Sequence, residues 1–162
     1  MFQTVEKNNH GCIHQWMQLW APKRMAQLQC DMSVMISKEH FDQFVMPELE
    51  ELTSFLNYSI YHLDGQEQIR HLDSLLSLKN LNAIQWQPVA GQPKTSEFIP
   101  VLQRIQKAGK GLMLRVESGE IPILLDNLSC RGLQLKVEKK LSSEQEAKEL
   151  LQYIETHSVD RG

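Results

Sequence analysis

Five short apolar runs alternate with segments of helical period along this chain, and few folds are compatible with that order. Each run has the length of a buried strand, and each following segment repeats its apolar residues every three or four positions. Strict alternation of this kind favours parallel strands joined by right-handed crossovers, with about 25 to 35 residues in each unit. The five expected strands span residues 26–30, 58–63, 82–88, 111–116 and 132–138.

Capping and helix-breaking residues set the bounds of the helices between these strands. Ser37 is expected to cap the first helix, in which Pro47 should produce a kink or separate two abutting helices. Gly109 should end the helix that precedes the fourth strand. In the last helix, Ser142 and Gln145 have the spacing of a capping box.

Length, composition and charge are those of an ordinary globular protein. The 162 residues are 41% hydrophobic and 23% charged, with a formal net charge of -3, so neither nucleic acid nor an anionic membrane is expected as a partner. No apolar run approaches the ~20 residues of a membrane-spanning helix, and the start is too polar for a secretory signal. The expected organisation is a loop-like segment at 1–25, a βα domain at 26–157 and a tail at 158–162.

Cysteine usage predicts a cytoplasmic protein. Cys12, Cys30 and Cys130 are too few and too scattered for a disulfide framework, which favours reduced thiols. The stretch "HGCIH" would place His10, Cys12 and His14 on one side of an extended segment. That arrangement could clamp a metal, but a flexible amino-terminal segment is the favoured interpretation.

Two architectures fit the alternation, a doubly wound sheet and an incomplete (β/α) barrel. No Gly-rich phosphate-binding fingerprint follows any expected strand, which removes the usual sign of a dinucleotide-binding sheet. In both architectures the chemistry belongs at the carboxyl ends of the strands. The polar residues at those ends are Cys30, Asp31 and Ser33; His62 and Asp64; Gln85, Trp86 and Gln87; Arg115 and Glu117; and Lys136 and Glu138.

His62 and Asp64 stand out among the strand ends, because they close an apolar run directly before Gly65, where the backbone can turn sharply. Two interpretations have equal weight: a ligand or metal site, and a structural pair in which the carboxylate orients the imidazole. His71 and Asp73, on the following helix, are expected on a solvated face.

Three further strand-end residues have both a structural and a functional interpretation. For Asp31, two interpretations have equal weight: the residue lines the pocket, or it lies outside the pocket. Trp86 could form an aromatic wall for a planar ligand, although core packing is favoured. Cys30 is expected to behave as a small buried apolar residue.

Several motifs together resemble the carboxyl-terminal half of the uroporphyrinogen decarboxylase superfamily. They are "LQCDMSVMISKEHFDQFVMPELEEL", "YHLDGQEQIRHLDSLLSLKNLNAIQWQPVAG", "GKGLML" and "RGLQLKVEKKLSSEQEAKELL". The most similar branch is that of the methylcobalamin:coenzyme M methyltransferases. The resemblance covers roughly residues 26–154 and implies a partial TIM (β/α) barrel of about five strands, equivalent to the later strands of the family barrel.

The resemblance also implies a site. Members of the methyltransferase branch bind zinc through a histidine, a nearby cysteine and a later cysteine, and zinc turns a thiol substrate into a thiolate. His62 matches the family histidine, whereas Asp64 stands where the family has a cysteine and Glu138 is the nearest candidate at the last strand. This set of His62, Asp64 and Glu138 is harder than the zinc–thiolate set and would favour different substrates.

Three functional hypotheses follow. The first is corrinoid-dependent methyl transfer, with His62 and Asp64 catalytic, Asp31, Trp86 and Glu138 binding substrate, zinc as cofactor and a corrinoid-bound methyl group as substrate. Its partners would be a corrinoid protein and either further copies of the chain or a separate amino-terminal half-barrel, because five strands cannot close an eight-stranded barrel. The second is a non-catalytic, truncated or split barrel that acts as a binding or interaction module. The third and weakest is decarboxylation or other lyase chemistry.

Overall fold

The protein is an α/β chain in the computed structural model, which describes Lys7 and residues 11–14, 16–138 and 141–161. The strands of the described part are β1 (Cys12–His14), β2 (Leu19–Ala21), β3 (Met25–Leu28), β4 (Tyr58–Asp64), β5 (Ala83–Gln87), β6 (Gly111–Val116) and β7 (Leu133–Val137). The α-helices there are α1 (Lys38–His40), α2 (Met46–Phe55), α3 (Leu72–Ser77), α4 (Ile99–Lys107), α5 (Ile121–Asn127) and α6 (Glu144–His157). The 3-10 turns of the same described part lie at Asp31–Met35, Gln66–His71, Thr95–Phe98 and Ser118–Glu120.

The five strands predicted from the sequence form one parallel sheet, in the order β3-β4-β5-β6-β7. Each strand pairs with its neighbour along the chain, so the order never reverses as it does at the switch point of a doubly wound sheet. The segment expected to be loop-like contains the antiparallel pair β1–β2. Among the described residues, no helix is long and apolar enough to span a membrane.

The chain divides into two compact units. The first, residues 1–63 and 67–83, contains the interruption predicted at Pro47. Ser37 caps α1 as expected, since its hydroxyl accepts the His40 N–H at 3.3 Å. Between α1 and α2 the backbone takes one π-helical turn, Phe41–Val45, whose carbonyl at Phe41 accepts the Met46 N–H. Proline has no N–H and its ring crowds the carbonyl four residues earlier, which explains the wider turn.

The second unit, residues 64–66 and 84–162, contains β5 to β7 and α4 to α6. Its core consists of aliphatic side chains and Trp86, which come from the strands, α4 and α5. Gly109, with φ of 73°, follows α4 as predicted. The fully or almost fully buried side chains here include Ile84, Trp86, Leu102, Ile105, Leu112, Leu114, Val116, Ile121 and Leu124.

The cap of α6 differs by one residue from the prediction. Ser143, not Ser142, is the N-cap, and its hydroxyl accepts the Glu146 N–H at 3.1 Å. The Glu146 carboxylate accepts the Ser142 N–H at 2.6 Å. Gln145, the expected partner, instead bonds Glu149 on the helix surface. A carboxylate is a stronger hydrogen-bond acceptor for an unpaired backbone N–H than a glutamine side chain is. The position of Glu146 therefore decides which of the two adjacent serines is the N-cap.

Candidate functional site

The second unit has a cavity of about 300 Å³ at the carboxyl ends of its strands. The loop after β5, residues 88–95, forms one wall. The remaining lining residues are the last two of β6 and residues that follow β6 and β7. Parallel sheets usually bind their ligands at this end of the strands. Of the site residues predicted from the sequence, Glu138 is in the lining. The lining residues outside the loop are Arg115, Val116, Glu117, Glu120 and Glu138.

Arg115, which lines this cavity, is the centre of a hydrogen-bonded cluster. Its Nε and Nη2 donate to the two carboxylate oxygens of Glu138 at 2.5 and 2.7 Å. Its Nη1 donates to Gln87 Oε1 at 3.0 Å, and Gln85 Nε2 donates to the same oxygen at 3.3 Å. The two-pronged contact fixes the plane of the guanidinium and sets its remaining N–H groups in one direction.

Strand geometry explains why these residues meet. Gln85 and Gln87 are two apart in β5 and therefore share a face. In the register of β6 and β7, Arg115 lies beside Lys136, so Glu138, two residues further along, shares the face of Arg115. The sequence placed each of these residues at a strand end, and the structure joins three of them, Gln87, Arg115 and Glu138, in one cluster.

Glu120 lies at the edge of the cavity, and the sequence analysis did not identify it as a site residue. It is only 7% exposed, and its carboxylate accepts the Glu117 N–H and the Ser96 N–H, each at 2.9 Å. Thr95 Oγ1 donates to the Arg115 carbonyl at 3.0 Å, which ties the loop to β6. The spacing of Glu117 and Glu120 is that of a capping box, a signal that the sequence offered.

Lys94 and Glu117 form a second ion pair on the rim, with Nζ 2.9 Å from Oε2. The hydrogen bond that Lys94 donates to Glu117 raises the pKa of Lys94. Both cationic side chains in the lining are therefore already paired with carboxylates.

His62 lies in β4 and is buried, with 6% of its surface exposed. The ring of Trp16 meets it edge-on, with centroids 4.8 Å apart and an interplanar angle of 84°. Asp64 is the last residue of β4 and is half-buried. The backbone turns after it at Gly65, where φ is 84° and the N–H donates to the Gln87 carbonyl at 2.9 Å. The glycine thus makes the sharp turn that the sequence predicted.

The other predicted site residues lie in different surroundings. Asp31 is exposed in the first turn after β3, where Gln29 Nε2 donates to its carboxylate at 3.3 Å. Trp86 is fully buried and packs on Phe98 with centroids 4.8 Å apart. Within the described ranges, no three His, Cys, Asp or Glu side chains come together as a metal-binding group. Both oxygens of Glu138 are held by Arg115.

His71 is buried, and the prediction of a solvated position is wrong. Its ring stacks on Phe41 with centroids 4.2 Å apart, and its Nε2 lies 2.9 Å from the Ser33 carbonyl. Burial lowers the pKa of His71. The α-helical spacing of the apolar residues did not predict this burial, because the 3-10 turn Gln66–His71 changes which residues face inward. Asp73 is exposed, as predicted.

The amino-terminal motif and the cysteines complete the set of predicted positions. His10 lies outside the described residues, and Cys12 and His14 belong to β1. Cys30 and Cys130 are free thiols, both half-buried. Burial raises the pKa of the Cys30 thiol, which keeps it protonated and unreactive at neutral pH.

Comparison of the chain with protein-family models, with curated proteins and with solved structures found no match. The family resemblance therefore rests on motifs such as "YHLDG", "HLD" and "IQW". What the fold defines by itself is an α/β chain with a parallel sheet and, at the strand ends, a cavity whose lining includes charged side chains.

Proposed function

We propose that this chain is a uroporphyrinogen decarboxylase-like (β/α) barrel chain that binds a small polar ligand and does not catalyse a reaction by itself. The observation that carries the proposal is the cluster of Arg115, Glu138 and Gln87, of which Arg115 and Glu138 line the cavity. Its charges are paired and its geometry is fixed, and such an arrangement suits the binding of a ligand. A carboxylate held by two guanidinium N–H groups is a poor general base and a poor metal ligand.

The charges of the lining indicate the class of ligand. Lys94 is paired with Glu117 and Arg115 with Glu138, while Glu120 is bound to backbone N–H groups. An anionic ligand would have to displace a carboxylate from its cation. A neutral polyol, whose hydroxyls both donate and accept, can use the remaining guanidinium N–H groups and the carboxylate lone pairs together. The proposed ligand is therefore a neutral polyhydroxylated small molecule.

Titration of the full chain with myo-inositol, followed by backbone amide NMR shifts, tests this proposal. Saturable shifts are expected at Gly91 and Glu117 on the cavity wall, and Arg115→Gln should weaken binding by about tenfold or more, because it removes charge-assisted hydrogen bonds. Arg104→Gln, on the exposed surface of α4, is the matched control and should bind normally. Citrate, tested in parallel, should bind more weakly than myo-inositol.

Two results would overturn the binding proposal. One is an absence of saturable shifts with myo-inositol. The other is tighter binding of citrate, which would mean that the ligand is an anion and that the paired charges open to receive it.

A second candidate, corrinoid-dependent methyl transfer, is favoured by the sequential order of the parallel strands, which is the order that the family resemblance implies. In this hypothesis a further copy of the chain, or a separate amino-terminal half-barrel, completes the barrel, and a corrinoid protein supplies the methyl group. His62 and Asp64 would hold zinc or substrate, with Asp31, Trp86 and Glu138 as the other predicted site residues.

Metal analysis separates the two candidates. Protein purified without chelator should contain no stoichiometric zinc if the chain is a binding module. Stoichiometric zinc that is lost in His62→Ala, together with demethylation of methylcobalamin by an added thiol, would instead support the enzyme. Sedimentation at micromolar concentration tests the partner hypothesis, which predicts an assembly larger than one chain.

A further inference from the structure

β7 is the last strand of the parallel sheet, and β6 covers only one of its two edges. The apolar residues of β6 in register with it, Leu112, Leu114 and Val116, are buried. By contrast, every residue of β7 is half-buried, and the following helix α6 contains no buried residue. Among the described residues, no strand pairs with the second edge of β7.

Two hydrogen bonds show which backbone groups of β7 face this open edge. The Leu112 N–H donates to the Gly132 carbonyl at 2.8 Å, and the Glu138 N–H donates to the Val116 carbonyl at 2.9 Å. Successive residues of a strand direct their backbone groups to alternate sides, so the even-numbered residues of β7 bond to β6. The groups that face the open edge therefore belong to the odd-numbered residues, Leu133, Leu135 and Val137.

The sequence of β7 is complementary to itself, which makes a second copy of the chain the partner for this edge. In an antiparallel pair the groups at the two open edges must face each other, so odd-numbered residues stand opposite odd-numbered residues. With Leu135 opposite Leu135 of the second copy, all five residues pair. Leu133 then lies opposite Val137 of the second copy, and Gln134 lies opposite Lys136.

This register is better than either of its neighbours. The register centred on Lys136 pairs only residues 135–137 and sets two lysines directly opposite each other, which is unfavourable. The register centred on Gln134 pairs only residues 133–135. Centred on Leu135, apolar residues meet apolar residues on one face of the sheet, and on the other face each ammonium meets an amide that can accept its hydrogen bond. Gln134 and Lys136 have no side-chain hydrogen bond or ion pair within the described part of the chain.

We propose that the chain forms a homodimer through β7, whose two copies pair antiparallel about a two-fold axis at Leu135. An open strand edge is a template for such pairing, and a two-fold axis uses the same surface on both copies. The contact is built on one five-residue strand, so the dimer is weak and depends on concentration. Because the pairing is antiparallel, it does not extend the sheet towards a closed barrel, and the inference rests on neither proposed function.

Sedimentation equilibrium of the full chain over roughly 10 to 500 μM measures the dimer dissociation constant. Gln134→Lys sets like charges opposite each other twice in the dimer and should weaken it about threefold or more, whereas Gln134→Glu should tighten it by a similar factor. The exchange Gln134→Lys with Lys136→Gln should return the constant to within about twofold of the wild-type value, because each lysine again faces a glutamine. Gln103→Lys, on the exposed surface of α4, is the matched control and should have no effect.

Amide hydrogen exchange tests the same contact without a substitution. The N–H groups of Leu135 and Val137 face the open edge and should exchange more slowly as the chain concentration rises. The Lys136 N–H, directed towards β6, should be protected equally at every concentration.

Three results would overturn the proposal. The first is a monomer at 500 μM, which would leave the edge to a different protein or to solvent. The second is a dimer that Gln134→Lys and Gln134→Glu shift in the same direction or not at all, since the copies would then meet elsewhere. The third is a double variant that dimerises no better than Gln134→Lys.

Discussion

Replacement of Glu120 by alanine should destabilise the chain strongly, although Glu120 is an acidic residue in a turn. Its buried carboxylate accepts two backbone N–H groups, from Ser96 and Glu117, at 2.9 Å each. Alanine would leave both N–H groups without their acceptor. A hydrogen bond to a charged group contributes about 1.5 to 3 kcal/mol, so two of them give a loss of at least about 3 kcal/mol in the free energy of unfolding.

Urea denaturation measures this loss. With a slope of about 2 kcal/mol per molar urea, a loss of 3 kcal/mol lowers the midpoint by about 1.5 M while the slope stays constant. Glu97→Ala is the matched control, because Glu97 is exposed and accepts a single backbone N–H, that of Lys94, at 3.0 Å. Its expected loss is about 1 kcal/mol or less. A Glu120→Ala midpoint within about 0.3 M of the wild-type value would refute the reasoning.

Two further predictions concern a buried histidine and a helix cap. The pKa of His71 is lowered in the folded chain, so its neutral form stabilises the fold fully above the unfolded pKa of about 6.5, and that contribution is lost as the pH falls below it. The stability difference between wild type and His71→Gln, measured by urea unfolding, should therefore be smaller at pH 5.5 than at pH 7.5; an equal difference would contradict this. Ser143→Ala should lower the free energy of unfolding by about 1 kcal/mol because Ser143 caps α6. Ser142→Ala should have almost no effect. Thermal or urea unfolding of the two variants measures both losses, and a larger loss for Ser142→Ala would contradict the cap assignment.

The positions of the strands could be predicted because their apolar runs are short and bounded by clear turn signals. The fourth run coincides with β6 at both ends, and Gly109 ends the preceding helix as expected. The predicted bounds were less accurate where neighbouring residues compete for one role. Two adjacent serines could cap α6, and the position of Glu146 decided in favour of Ser143. The strand expected at 26–30 ends at Leu28, before the turn Asp31–Met35.

The site was predictable in its location and less so in its contacts. Parallel strands bring their carboxyl ends to one edge, so Gln87, Arg115 and Glu138 could be grouped from the sequence. Their hydrogen bonds depend on the register of β6 and β7, which a single sequence does not give. Burial was harder to predict: His71 is the last residue of a 3-10 turn, and the change from the α-helical period placed it in the interior.

The register of β6 and β7 has a consequence for changes in chain length. Leu135 lies beside Leu114, and Lys136 lies beside Arg115. On β7 the apolar residues Leu133, Leu135 and Val137 alternate with Gln134 and Lys136. Removing one residue inside β7 would exchange the two sets, placing a lysine on the face of Leu114 and a leucine on the face of Arg115. Removing two would restore the alternation. Tolerance to deletions in this strand should therefore follow parity, with even numbers less harmful than odd ones.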